Sequence, residues 1–101
     1  MLSTYRIISK KTLRAFWERY PDAEEALKSW HAEAKAADWQ NPADVKAQFG
    51  NASILKDSRV AFNICGNKYR LIVKISYAAS IILIRFVGTH KEYDAIDAET
   101  V

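Results

Sequence analysis

A single cysteine and the lack of any long apolar run narrow the field first. Cys65 alone closes no internal disulfide and makes no zinc site, so a reducing compartment, the cytoplasm, is expected. The longest strand-like apolar run, Ile81 to Ile84, falls far short of a bilayer span, and no membrane association is expected. The apolar stretch within Met1 to Ile8 is too short for a signal peptide. Internal repeats and low-complexity tracts are also missing. With 101 residues, half of them hydrophobic, the expectation is one thin-cored globular domain spanning 1–101.

Acid is scarce in one region. Residues 56–91 carry seven basic side chains (Lys56, Arg59, Lys68, Arg70, Lys74, Arg85, Lys91) and only one acid, Asp57. Residues 1–55 are nearly balanced, and residues 92–101 carry acids alone: Glu92, Asp94, Asp97 and Glu99. A cationic block of this kind implies a polyanionic partner. The plainer alternative is lysines that protect strand edges from aggregation. The acidic tail is expected either to be solvated or to lie against the basic face.

Hydrophobic periodicity divides the chain into a helical half and a strand half. Tyr5 to Ile8 reads as a short strand. Leu13, Phe16, Trp17 and Tyr20 recur at helical spacing after Ser9, a candidate N-cap, and Pro21 stops that helix. Asp22 with Glu25 reads as a capping box opening a second helix, whose stripe is Ala23, Ala26, Leu27, Trp30, Ala34 and Ala37. Together the two form an αα-hairpin. Asn41-Pro42 starts a short third helix with Val45 and Phe49 as its apolar contacts, ended by Gly50. From Arg59 the period becomes two. Arg59–Cys65, Tyr69–Ser76 and Ile81–Val87 read as strands, giving an α+β fold in which a mainly antiparallel sheet is backed by the helical hairpin.

The Gly66-Asn67 turn sets Ile64 opposite Tyr69 and Asn63 opposite Arg70. Taking Ala78-Ala79 as the next turn sets Ile75 opposite Ile82, Val73 opposite Ile84 and Ile72 opposite Arg85. One face then holds Phe62, Ile64, Tyr69, Leu71, Val73, Ile75, Ile82, Ile84 and Phe86, and is expected against the helices. The other holds Asn63, Arg70, Ile72, Lys74, Leu83, Arg85 and Val87. Arg70 and Arg85 are diagonal neighbours in this register and repel one another unless an anion sits between them.

Thr89 and Glu92 form a second capping-box pattern, so a helix is expected directly after the last strand, its free N–H groups open to a phosphate. His90 and Lys91 lie in its first turn, and Tyr93 is on the same side as His90. These residue types suit RNA cleavage by the substrate's own 2′-hydroxyl. Histidine is the usual proton handler, arginine grips two phosphate oxygens, and tyrosine donates a proton or stacks on a base. The candidate catalytic residues are Arg70, His90 and Tyr93. The candidate RNA-binding residues are Asn63, Lys68, Lys74, Arg85 and Lys91. Neither a metal nor a cofactor is called for. A structural cap for His90 and packing for Tyr93 are the plainer readings.

The run Arg59-Val-Ala-Phe-Asn-Ile-Cys-Gly-Asn-Lys-Tyr-Arg-Leu-Ile-Val and the later Ile-Arg-Phe-Val-Gly-Thr-His-Lys-Glu-Tyr-Asp resemble HigB-type toxins of bacterial toxin–antitoxin pairs. Thr-Leu-Arg-Ala-Phe-Trp-Glu-Arg-Tyr-Pro-Asp-Ala-Glu and Pro-Ala-Asp-Val-Lys match as well, so the likeness covers nearly the whole chain. The resemblance implies a RelE-like fold and an mRNA interferase. It implies mRNA as substrate, in many cases bound to the ribosome, and a cognate antitoxin with a helix-turn-helix domain. It places Arg70 and His90 in the catalytic centre, without fixing which group is acid and which base.

Other residues read as structural. Trp17, Trp30 and Trp39 are expected in the core, with an antitoxin-facing groove as the alternative, and His31 in solvent. Cys65 has no base poised beside it and reads as an inert thiol. Two further functions share the basic face: a non-catalytic RNA-binding module, and an interaction domain that docks an acidic partner.

Overall fold

A computed structural model describes residues 4–101; the part of the signal-peptide reading that falls on residues 1–3 lies outside the described residues. The elements run β1 (Arg6–Ile8), α1 (Lys10–Arg19), a 3-10 turn (Pro21–Ala23), α2 (Glu24–Ala36), α3 (Pro42–Gln48), β2 (Ser53–Ile54), β3 (Arg59–Ile64), β4 (Tyr69–Ser76), β5 (Ile81–Thr89) and α4 (His90–Asp94). The strands form one sheet in the order β1-β5-β4-β3-β2. Only β1 runs parallel to its neighbour, pairing Arg6 with Ile81 and Ile8 with Leu83. This is the expected α+β arrangement, a mainly antiparallel sheet with helices packed on one face. Among the described residues no helix is long and apolar enough to cross a membrane.

The helices follow from their stripes. In α1, Leu13, Phe16 and Trp17 are buried, and the N–H of Tyr20 closes the helix on the Phe16 carbonyl before Pro21. Ser9 stands at the N-cap, although its side chain makes no capping bond. The expected box of Asp22 and Glu25 does not form, because Ala23 occupies the N-cap of α2. The Asp22 carboxylate instead accepts from the Lys68 ammonium and, at 2.5 Å, from the Tyr69 hydroxyl. A cation and a phenol together outbid a helix end for that carboxylate. In α3, Asn41 caps as its sequence suggests, accepting from the Asp44 N–H at 3.1 Å, with Pro42 in the first helical position.

The first hairpin register is the expected one, with Ile64 opposite Tyr69 and Asn63 opposite Arg70. Its positive φ values fall on Cys65 and Gly66 instead of on Gly66 and Asn67. The second hairpin starts as expected, Ile75 against Ile82 and Val73 against Ile84, and then departs. Ile72 faces Phe86, not Arg85, because a β-bulge leaves Arg85 unpaired. One extra residue inverts the alternation beyond it. Phe86 therefore leaves the helical face, and Val87 takes its place against the core. The two-residue strand β2, which pairs Ser53 with Ala61, is too short to show a period.

The helical face of the sheet buries Phe62, Ile64, Tyr69, Leu71, Val73, Ile75 and Ile82 against Leu13, Leu27, Trp30 and Trp39. Phe62 is the hub, its ring 5.1 Å from Phe49 and 5.4 Å from Trp30, centroid to centroid. Emptying such a site costs about 3–5 kcal/mol. His31 is half-buried, not solvated, and desolvation with Lys10 and Lys35 nearby pulls its pKa down.

On the opposite face, Arg59, buried, donates through Nε to the main-chain oxygen of Val101 at 3.1 Å, and Arg85 does so at 3.4 Å. Lys56 approaches Glu99 at 3.8 Å. These contacts draw the segment after α4 across the sheet. Ala61 and Ile72, on the same face, are fully buried. Of the two arrangements open to the acidic tail, the one against the basic face is found.

Candidate active site

Strand β4 and helix α4 meet where the sheet ends. The register puts Arg70 opposite Gly88 on β5 and Asn63 on β3, and α4 begins two residues past Gly88. A close helix start needs a defined cap. Thr89 accepts from the Glu92 N–H at 3.1 Å while Glu92 accepts from the Thr89 N–H at 2.8 Å, the capping box read from the sequence. The His90 N–H donates to the Lys68 carbonyl. Three N–H groups at this helix start are thus satisfied internally. The capping box and the Lys68 carbonyl, just before β4, thus take two of the first-turn N–H groups, those of Glu92 and His90, that the sequence leaves open to a phosphate.

Four of the candidate side chains converge. The Arg70 guanidinium donates through one terminal nitrogen to Asn63 Oδ1, and its other terminal nitrogen lies 3.2 Å from His90 Nε2. Its central carbon sits 5.2 Å from the centroid of the Tyr93 ring, a cation–π contact. The His90 and Tyr93 rings are 6.3 Å apart in a T-shape. His90 Nδ1 lies 3.3 Å from the carboxylate of Asp94, one turn along α4. That contact favours the tautomer with the proton on Nδ1, which leaves the Nε2 lone pair toward Arg70.

Arg70 has no carboxylate partner among the described residues. Its Nε–H is buried and unpaired. A guanidinium held by an amide, an imidazole and an aromatic face keeps its whole charge for a ligand anion. The Coulomb repulsion expected between Arg70 and Arg85 is weakened by the register. The bulge sets Arg85 about three residues along β5 from the position facing Arg70, roughly 10 Å away.

The other candidates lie outside this cluster. Lys68 is engaged with Asp22. Lys74 shares the face of Arg70 but sits four residues along β4, exposed. Lys91 is exposed on α4 with no ion pair among the described residues. No group of three or more His, Cys, Asp or Glu side chains gathers among the described residues to hold a metal ion.

Two participants were missed. By composition Asp94 falls in the acidic tail, although its i+4 spacing from His90 is a helix-face signal. Gly88 is needed because a Cβ there would lie 2.6 Å from Phe86 Cζ and 3.0 Å from Glu92 Oε1. The Phe86 ring covers it only because of the bulge, which the sequence does not announce.

Comparison with known proteins agrees with this architecture. A family model described as HigB_toxin, RelE-like toxic component of a toxin-antitoxin system, matches residues 23–96 and so includes the whole cluster. The mRNA interferase toxin HigB of Escherichia coli (strain K12) is 30% identical over 94 residues, covering 91% of this chain and 90% of the relative. The mRNA interferases HigB of Escherichia coli O157:H7 and Shigella flexneri match to the same extent. On the strength of the fold and of these matches, the chain belongs to the HigB toxin family, the RelE-like toxic components of toxin–antitoxin systems.

Proposed function

We propose that this protein is an endoribonuclease toxin, an mRNA interferase that cuts RNA through the substrate's 2′-hydroxyl without a metal. The observation that carries the reading is the Arg70 guanidinium, free of any carboxylate among the described residues and flanked by a histidine and a tyrosine. A phosphodiester at Arg70 competes for the nitrogen now shared with His90. Nε2 of His90 is then free to take the 2′-proton as the 2′-oxygen bonds to phosphorus. The bond from phosphorus to the 5′-oxygen breaks, and Tyr93 supplies the proton that oxygen needs. Arg70 neutralises the phosphorane between these steps. The products are a 2′,3′-cyclic phosphate and a 5′-hydroxyl. Because the 2′-oxygen is the nucleophile, DNA is not a substrate.

The same reading takes residues 1–101 as one toxin domain working in the cytoplasm on message, including message on the ribosome. A cognate antitoxin with a helix-turn-helix domain neutralises it. The resemblance to HigB-type toxins supports both partners, and restored growth on co-expression checks the second. Asn63, within the cluster, is assigned to RNA binding, and Lys68, Lys74, Arg85 and Lys91 to outer contacts around it.

The test expresses the wild type, Arg70→Ala and Arg70→Lys, and measures growth arrest and cleavage of a defined transcript in the presence of a chelator. Arg70→Ala is expected to slow cleavage by about 10²–10³-fold. Arg70→Lys recovers only part of that, since an ammonium lacks the planar fork. Equal arrest by all three, or cleavage abolished by chelator, overturns the reading. RNA bound but never cut would leave a non-catalytic binding module.

A further inference from the structure

An acid beside a phosphate-binding centre works against it, yet Asp94 stands there. It is the last residue of α4, the end of a helix where the backbone dipole disfavours negative charge. Glu92, the other acid of α4, is accounted for by the Thr89 cap. Among the described residues Asp94 has one side-chain partner, His90 Nδ1 at 3.3 Å. The helix end and an RNA strand both lose by this carboxylate, which leaves the imidazole as the group it serves. The two ring nitrogens of His90 face different neighbours: Asp94 is at Nδ1, and a terminal nitrogen of Arg70 is 3.2 Å from Nε2.

We infer that Asp94 is a positioning residue of the cleavage reaction, holding His90 with its proton on Nδ1 and steadying the imidazolium that forms when Nε2 takes the 2′-proton. This rests on the ribonuclease reading and names what makes His90 a base. A neutral imidazole has one N–H and one lone pair, so a proton on Nε2 would leave nothing there to accept the 2′-proton. The bond made by one ring nitrogen decides the state of the other. In the free protein both neighbours favour the proton on Nδ1. Once a phosphate draws the guanidinium away, only Asp94 is left to hold it. The ring then gains a positive charge, which the carboxylate stabilises and the guanidinium opposes. No proton passes to Asp94. The proton on Nε2 leaves to water after the products go, and Tyr93 recovers its own from water, so the carboxylate stays ionised throughout.

The experiment has a spectroscopic and a kinetic arm, both on the full chain. The sequence holds two histidines, His31 and His90, so histidine-selective nitrogen-15 labelling gives two imidazoles, and a His31→Gln variant tells them apart. Long-range nitrogen–proton correlation at mildly alkaline pH, where imidazoles are neutral, reads the tautomer. Arg70→Ala stands in for the state in which the guanidinium has turned to phosphate. His90 is expected to keep its proton on Nδ1 in Arg70→Ala and to shift it toward Nε2 in Arg70→Ala/Asp94→Ala. In the kinetic arm, with Arg70 present, Asp94→Ala is expected to lower kcat for a short RNA by about 10–100-fold, as loss of a histidine-orienting partner does at metal sites. KM should stay level or fall, because an acid has left a phosphate site. Asp94→Glu should recover most of kcat, since an i,i+4 glutamate still reaches the ring. The Asp94 side chain is 65% exposed, so these changes leave the core alone.

An Nδ1–H signal unchanged in the double variant, a wild-type kcat in Asp94→Ala, or a loss confined to KM overturns the inference. A lower melting temperature with kcat intact, the mark of a helix-steadying pair and nothing more, overturns it too. RNA left whole by the wild type removes the ribonuclease reading and this role with it. RNA cut equally by the wild type and Asp94→Ala removes Asp94 alone.

Discussion

Arg70 lies within reach of three side chains, each brought to it by a different local rule. Hairpin register supplied Asn63, helix spacing supplied Tyr93, and the strand–helix junction supplied His90. That much of the cluster was legible because turn chemistry and a capping box fix local geometry closely. Gly88 was not legible, since its need comes from the Phe86 ring folded over it. Gly88→Ala is expected to push Phe86 and the Glu92 carboxylate away, destabilising the fold by about 1–3 kcal/mol as overpacking does. It should also loosen the cap that aims His90. Thermal unfolding measures the first effect, and cleavage assayed well below the melting point measures the second. Wild-type values in both would mean that the ring moves aside freely.

Among the elements, the 3-10 turn and the β3–β4 hairpin are joined by Asp22. Hydrogen bonds from Lys68 and then Tyr69 hold its carboxyl below the usual carboxylate range. The same partnership raises the pKa of Lys68. A carboxyl depressed in the folded state stabilises it above the unfolded pKa, near 4, and that contribution disappears as pH falls through the folded value. For Lys68 the contribution is complete below about 10 and is lost as pH rises through its raised value. Denaturant midpoints of the wild type are therefore expected to fall on acidification below about pH 4 more than those of Asp22→Asn. Identical acid limbs for the two proteins would show that the clasp is too wet to matter. The sequence places an acid at this turn, yet reads it as a helix cap. Choosing between a cap nearby and a cation more than forty residues away requires the tertiary fold. The bulge at Arg85 is hidden for a similar reason, because Leu-Ile-Arg-Phe alternates as any strand does.

For the molecule as a whole, the helical face was legible and the opposite one only in part. Alternation showed which residues share that second face, and the charge count showed its sign. What covers its centre was beyond reach, since two arginines meeting the main chain at Val101 leave no pattern in composition. The tail now engages Lys56, Arg59 and Arg85, cations that a polyanion would otherwise use. Ending the chain after Ile96 is expected to tighten RNA binding at low salt. It should also steepen the slope of log K against log salt by about 2, near 0.7 for each of the three cations freed. Filter binding between low and moderate salt, with circular dichroism as a check on folding, decides this. An unchanged slope would make the tail a mere cover for Ile72.

The parallel pairing of β1 with β5 has its own consequence for synthesis. The strand made first must wait for Ile81–Leu83 before its backbone groups find partners, and contacts this distant in sequence form slowly. Asn63, Arg70, His90 and Tyr93 likewise all emerge late. The candidate site is therefore complete only after α4 has been made, and no shorter stretch of the nascent chain carries it whole.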